Sequence, residues 1–292
     1  MSGTAETEFV CNVCGAVNRR PAEGFDRERP SCAGCGSSRR LRGLLQALSQ
    51  ELFGLDLTLP EFPRVKSLRG LGLSDGEGYA SRLAEKFDYR NTYFHREPFL
   101  DITKVPESEF GQYDFVLASE VFEHVPPPAG RAFENAFRLL REGGVLVFTV
   151  PYSLESSTAE HFPDLGAHGL ARVGDGLVLV NRTRTGELQV FENLVFHVSF
   201  GGEALEVREF SECALEAMLH GTGFGEVRIY HEPCPAYGIE NTENWSLPMC
   251  ARKGRYGLSR GATRELIEES RILERRLRNS WWARLGWKMG WM

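Results

Sequence analysis

Two Cys-X-X-Cys-Gly knuckles open the chain, Cys11-Asn-Val-Cys14-Gly15 and Cys32-Ala-Gly-Cys35-Gly36, with seventeen residues between Cys14 and Cys32. Two intervening residues let both thiolates of a pair face one ion from a single tight turn, and a structural Zn²⁺ takes four such ligands in a tetrahedron. Glycine after each second cysteine tolerates the positive φ that a knuckle requires. Cys11, Cys14, Cys32 and Cys35 are therefore candidate ligands of a structural zinc ion. Disulfides are the competing reading, but the polar, acidic start of the chain does not mark it as secreted. A redox Cys-X-X-Cys is expected singly, near a strand–helix–strand unit, rather than duplicated ahead of one. Cys213, Cys234 and Cys250 are scattered and odd in number, and read as reduced core thiols.

A second set of residues suits a ligand that approaches the backbone closely. Leu68-Arg-Gly70-Leu-Gly72-Leu-Ser74 carries glycines at alternate positions, which frees amides near a helix N-terminus. Five histidines are candidates for proton transfer: His124, His161, His168, His197 and His231.

The elements that must position these groups follow from periodicity. Ser38–Phe53 reads as a helix with Leu41, Leu44, Leu45, Leu48 and Leu52 on one face. Val65–Leu68 reads as a strand ending in the glycine turn, Tyr79–Lys86 as a helix and Tyr113–Ala118 as a buried strand. Arg131–Leu140 is an amphipathic helix stopped by Gly143-Gly144, and Val145–Val150 is a further buried strand. Strand, helix and strand in this rhythm mean a parallel sheet with helices on both faces. Residues 152–205 interrupt it as an insertion, with a β-hairpin around Arg182–Gly186. A helix at Ser211–His220 and strands near Glu226–Tyr230 and Met249–Lys253 complete the sheet. The tail from Arg264 begins as a charged helix with Leu266, Leu273 and Leu277 on one side. It ends in Trp281, Trp282, Trp287 and Trp291 among basic residues.

Tyr113-Asp-Phe-Val-Leu-Ala-Ser119-Glu120-Val-Phe-Glu-His-Val125, then a helix, then Leu139-Leu-Arg-Glu-Gly-Gly144 and a strand, strongly resembles class I S-adenosylmethionine-dependent methyltransferases over residues 62–253. The resemblance implies an α/β fold: a Rossmann-like, doubly wound, mostly parallel seven-stranded sheet. To this are added an N-terminal zinc ribbon (1–40), a core (41–253) with the insertion as substrate lid, and an amphipathic Trp-rich C-terminal helix (254–292). It implies that Gly70, Gly72 and Ser74 lie beneath the cofactor's methionine part, and that Asn91 and Thr92 hold the ribose. Asp101 and Ile102 hold the adenine, and Ser119 and Glu120 stand beside the methionine moiety. Three departures mark this chain: Leu68 where the family usually has an acid, Ser74 in place of the third glycine, and no acid ending the second strand. Asp75, Glu77 or Asn91 are the residues placed to take over those roles. The ribbon running into Cys35-Gly-Ser-Ser-Arg-Arg-Leu-Arg42, with Asn193-Leu-Val-Phe-His197 through Ser211, is similar to bacterial methyltransferases associated with glycan and polysaccharide assembly.

These features give the expected function: S-adenosylmethionine-dependent O-methylation of a sugar or glycan hydroxyl, or of a small-molecule acceptor. A hydroxyl needs a general base, and His197, just past the hairpin, is the leading candidate. No Asp-Pro-Pro-Tyr-type motif follows the fourth strand, which weighs against amino methylation of a nucleobase. Two other classes compete. Residues 11–42 hold seven arginines against three acids, the basic patch that an RNA methyltransferase's ribbon would need. The net charge of −6 opposes that reading, and Arg39, Arg40 and Arg42 are expected to dock the ribbon on the acidic core instead. A zinc-ribbon adaptor with a degenerate core is the non-enzymatic alternative, its tail serving a protein partner or an anionic membrane surface. No apolar run is long enough to span a membrane, so a cytoplasmic location is expected, with the inner membrane face as the site of any tail association.

Overall fold

The computed structural model describes residues 8–21, 24–199, 202–258 and 260–279. Strands β1 (Glu8–Val10) and β2 (Val17–Arg19) form an antiparallel pair whose turn carries Cys11 and Cys14. Helix α1 (Arg39–Phe53) follows, with Ser38 as its N-cap and Gly54 closing it in a left-handed conformation. The core then alternates β3 (Arg69–Leu73), α2 (Glu77–Lys86), β4 (Asp88–Thr92), β5 (Tyr113–Ser119), α3 (Gly130–Leu139) and β6 (Leu140–Thr149). The short strands β7 (Tyr152–Ser153) and β8 (Ala159–Glu160) lead into β9 (Ala167–Val173), β10 (Gly176–Arg182), β11 (Leu188–Phe191), β12 (Phe196–Ser199) and β13 (Gly202–Leu205). β14 (Arg208–Ser211), α4 (Glu212–Thr222), β15 (Glu226–Ile229), β16 (Met249–Arg252) and α5 (Arg260–Asn279) complete the chain.

The main sheet has six strands among the described residues, in the order β15-β16-β6-β5-β3-β4. β4, β3, β5 and β6 are parallel neighbours, and β16 runs antiparallel between β6 and β15. The sheet is thus mixed, and shorter by one strand than expected. Just after β4, Tyr93 and Phe99 form an isolated parallel bridge and not a further strand of the main sheet among the described residues. Pro98 lies within this stretch and has no amide to donate to a ladder.

β5 and β6 alternate their side chains between two apolar clusters. Val116, Ala118, Leu146 and Phe148 face α3 and α4 with Phe122, Phe133 and Phe210. Phe115, Leu117, Val145 and Val147 face Leu44, Leu48, Phe62 and Phe87, together with Cys11 and Cys32. The cysteine segment therefore shares one core with α1 and the sheet.

The strand preceding α2 lies four residues later than the sequence suggests. Val65–Leu68 is a turn, and the glycine-rich segment itself is β3. A Cβ on Gly70 would collide with the Phe115 ring, and one on Gly72 with the Tyr89 hydroxyl and the Asp75 carboxylate. The glycines let the Tyr89 and Phe115 rings, stacked at 5.9 Å, lie flat against the strand.

The insertion contains the expected hairpin, β10 with β11, extended by β9 into a three-stranded meander and followed by the β12–β13 pair. α5 starts against the core through Ala262 and Leu266, while Ile272, Leu273 and Leu277 are exposed. The four tail tryptophans lie outside the described residues.

Candidate functional site

The four cysteine sulfurs lie within 4.8 Å of one another. Cys11 Sγ is 3.7 Å from Cys35 Sγ, and Cys14 Sγ is 3.6 Å from Cys32 Sγ. A tetrahedron with Zn–S bonds of about 2.3 Å has edges of about 3.8 Å, so the cage fits zinc. Ser37 Oγ contacts Cys11 Sγ at 3.1 Å, and Asn18 donates to Cys32 Sγ at 3.6 Å. The fully buried Arg42 guanidinium lies 4.8 Å from the Phe9 ring and 5.0 Å from the Phe25 ring and interacts electrostatically with Cys11, Cys32 and Cys35. It supplies positive charge to a cluster that becomes anionic when the thiols ionise on a metal.

The carboxyl ends of β3 and β5 carry the second centre. Each is followed at once by a non-glycine residue in the left-handed region, Ser74 (φ 59°) after β3 and Glu120 (φ 55°) after β5. Such conformations persist only where the surroundings enforce them, and they gather at binding sites. The strand-to-helix turn is Ser74-Asp75-Gly76, with Gly76 as the N-cap of α2. A Cβ at Gly78 would meet nothing within 4 Å. The residues that fit a ligand here are thus Ser74, Gly76, Glu77 and Gly78 at the start of α2. Gly70 and Gly72 do not line that turn, because Tyr89, Phe115, Asp75 and Asn91 cover them.

Asp75 is buried and accepts hydrogen bonds from Tyr79 Oη at 2.6 Å and from Tyr89 Oη. Burial pushes its carboxyl up to about 7, although both hydroxyls oppose the shift. Asn91 accepts from the Asp75 amide at 3.0 Å and donates to the Asp75 carbonyl at 2.8 Å, so it braces the turn. Thr92 is buried and donates to the Gly72 carbonyl at 2.7 Å. Tyr93 Oη donates to Glu77. Asp101 accepts from the Thr103 amide at 2.9 Å, and the Ile102 carbonyl accepts from Asn135 at 2.8 Å.

At the end of β5, Ser119 Oγ is 3.2 Å from Thr149 Oγ1, and the Glu120 amide donates to the Thr149 carbonyl at 2.9 Å. Two arginines from the cysteine segment and the start of α1 reach this point. Arg27 bonds Glu120 at 2.8 and 3.3 Å and the Ser246 carbonyl at 3.0 Å. Arg40 donates to Ser119 Oγ, meets Glu28 at 2.8 Å, and lies 3.9 Å from Glu120. Burial alone would raise the Glu120 carboxyl, but Arg27 and Arg40 outweigh it and hold it at about 2. Of the arginines expected to dock the N-terminal segment on the core, Arg39 binds Glu243 and the Glu240 carbonyl and Arg42 donates to the Gly238 carbonyl at 2.9 Å, whereas Arg40 pairs with Glu28 and reaches Ser119. Arg20 makes a two-pronged pair with Glu240 at 2.7 Å.

Among the described histidines two stand with a carboxylate: His124 Nε2 lies 3.4 Å from Glu123 Oε1, and the His161 pair is closer. His161 Nε2 lies 2.7 Å from Glu206 Oε1. Its amide donates to the Val207 carbonyl, and the Val207 amide donates to the Glu123 carbonyl, each at 2.9 Å. These bonds tie the pair to the Phe122–His124 turn just beyond β5. His124 Nδ1 lies 2.8 Å from the Leu205 carbonyl on the same segment. His168 Nδ1 lies 2.8 Å from the Gly166 carbonyl on exposed β9. His231 is exposed beside β15. His197 pairs with Ala204 across β12–β13, and its side chain lies outside the described residues. Arg27 and Glu206 escaped sequence reasoning: Arg27 lies in no motif, Glu206 lies within the Asn193–Ser211 stretch but was not singled out there, and each meets its partner only through the fold.

A family model described as a methyltransferase domain matches residues 25–225, well over half of the chain. No curated protein matches. Among solved structures, an S-adenosylmethionine-dependent methyltransferase from Clostridium acetobutylicum is 14% identical with a TM-score of 0.39, over 73% of this chain and 98% of its own. CalS10 from Micromonospora echinaspora, an amino pentose methyltransferase, is 13% identical with a TM-score of 0.40, over 75% and 92%. The CurJ carbon methyltransferase is 14% identical with a TM-score of 0.39; 68% of this chain is covered, and it spans about half (51%) of the CurJ chain. With the family match covering both strand ends of the site, the chain belongs to the methyltransferase domain family, enzymes that use S-adenosylmethionine as methyl donor.

Proposed function

We propose that this methyltransferase acts on a hydroxyl of a sugar, glycan or related small molecule, and that His161, oriented by Glu206, is its general base. The observation that supports this reading is the His161–Glu206 pair, tied by two backbone hydrogen bonds to the turn that follows β5. When bound, the donor supplies an electrophilic methyl group on sulfur. Ser74, Gly76, Glu77 and Gly78 are the residues suited to hold it, with Asn91, Thr92, Asp101 and Ile102 toward its nucleoside end and Ser119 and Glu120 toward its amino-acid end. A hydroxyl nucleophile sheds its proton as it attacks, and a histidine whose other nitrogen is held by a carboxylate can accept it. Zinc at Cys11, Cys14, Cys32 and Cys35 is structural in this reading. The engagement of Arg20 and Arg39 by acidic partners on the core counts against an RNA-gripping ribbon, since a phosphate backbone needs such charges free.

The test is transfer of labelled methyl to panels of nucleotide sugars, glycans and RNA. The expected acceptor is a sugar hydroxyl, and His161→Ala should lower turnover by roughly 10²–10⁴-fold with little change in affinity for S-adenosylhomocysteine. A normal rate in His161→Ala with a collapse in His197→Ala would move the base to β12. A salt-sensitive RNA acceptor would overturn the glycan assignment.

A further inference from the structure

Arg27 and Arg40 converge on the end of β5 with two carboxylates between them, and the carboxylates differ. The Glu120 side chain is 15% exposed and held by both arginines. The Glu28 side chain is 52% exposed and reaches in from the rim to accept from Arg40 Nε at 2.8 and 2.9 Å and from Arg27. Glu120 is enclosed at the strand end, whereas Glu28 is half-exposed at the rim. The Arg40 fork is itself 14% exposed and anchored on Ser119 Oγ, and its charge also reaches Tyr79 at the start of α2. It therefore stands between the two strand ends where the donor belongs.

We propose that the cysteine module is a working wall of the donor pocket: Arg40, with Arg27 beside it, receives the carboxylate at the donor's amino-acid end in place of Glu28. The inference rests on the methyl-donor assignment above. A guanidinium fork matches a carboxylate in geometry and charge. Exchanging Glu28 for a ligand carboxylate keeps two guanidiniums facing two carboxylates, so no buried charge is left unpaired. The metal cage fixes the arrangement. Arg27 lies on the loop between Cys14 and Cys32, its carbonyl accepts from the Arg40 amide at 3.1 Å, and the Ser31 amide donates to the Ser37 carbonyl at 3.1 Å. Loss of metal should loosen that loop and weaken the donor with it.

The test uses the full-length, zinc-loaded chain and two probes: S-adenosylhomocysteine, and 5′-methylthioadenosine, which lacks the amino-acid end. Arg40→Gln should weaken S-adenosylhomocysteine by roughly 10- to 100-fold in calorimetric titration, the loss expected for a charge-assisted hydrogen bond. It should leave 5′-methylthioadenosine within about twofold. Glu28→Gln, a conservative change at the rim, should tighten S-adenosylhomocysteine alone by removing its competitor. Equal losses for both probes in Arg40→Gln, no loss for either, or an unchanged or weaker S-adenosylhomocysteine affinity in Glu28→Gln would overturn the proposal while leaving the donor assignment intact. A wild-type chain that binds neither probe would overturn both.

Discussion

Asp75 is the residue on which the first turn depends. It is fully enclosed, it accepts two tyrosine hydroxyls, and its carboxyl titrates at about 7 rather than near the ordinary 3.8. Between those two values the folded chain holds a proton that the unfolded chain has lost. Stability therefore falls as pH rises from about 4 to about 7, by up to about 1.4 kcal/mol per pH unit, and is unaffected by this group above that window. Asp75→Asn should flatten this part of the stability-versus-pH curve in urea denaturation, read as the difference from wild type. Parallel curves for the two proteins would show that Asp75 titrates normally. Glu120 runs the other way: its carboxyl is held at about 2, so its contribution is complete above about 4.5 and is lost as pH falls toward 2.

At the level of elements, α1 is locked to β16 by charge as well as by packing. Glu51 bonds Arg252, takes the Tyr230 hydroxyl at 2.9 Å and lies 3.2 Å from Arg228; Glu51 and Arg252 side chains are each 5% exposed. Removing one partner strands a buried charge, so Glu51→Ala should cost about 3–5 kcal/mol in equilibrium unfolding. A cost below about 1 kcal/mol would mean that water reaches Arg252. The same elements show what the sequence could reveal. α1 was legible because its leucines repeat on one face and Ser38 caps it; β5, α3 and β6 were legible from their apolar patterns, but α3 runs directly into β6 at Leu140, and Gly143-Gly144, expected to stop the helix, lie inside that strand. Gly70 and Gly72 were misleading. Alternating glycines read as a loop, yet here they make room for the rings of Tyr89 and Phe115, which belong to neighbouring strands. That the main sheet has no seventh strand among the described residues was equally hidden, because one bridge at Tyr93 and Phe99 leaves no periodic signature.

For the whole molecule, the cysteine cage and the methyltransferase core form one body. The cage was legible from spacing alone, since its geometry is local within each knuckle. Its second role was not: Arg27 and Glu120 are 93 positions apart, and His161 and Glu206 are 45 apart, so only the folded chain brings them together. Metal and fold should accordingly be linked. Elemental analysis is expected to find about one zinc per chain, and Cys32→Ser should lose metal and lower the unfolding temperature of the chain as a whole. A metal-free protein with an unchanged transition would show that the cage is held without an ion. Among the described residues no helix is long and apolar enough to cross a membrane.

The central claim, a donor site at the ends of β3 and β5, is tested most directly by titrating S-adenosylmethionine into the purified full-length chain and following binding by calorimetry and by equilibrium dialysis of labelled donor. The account predicts saturable binding at one site per chain. No saturable binding at millimolar donor, in a folded protein with its zinc in place, would contradict it.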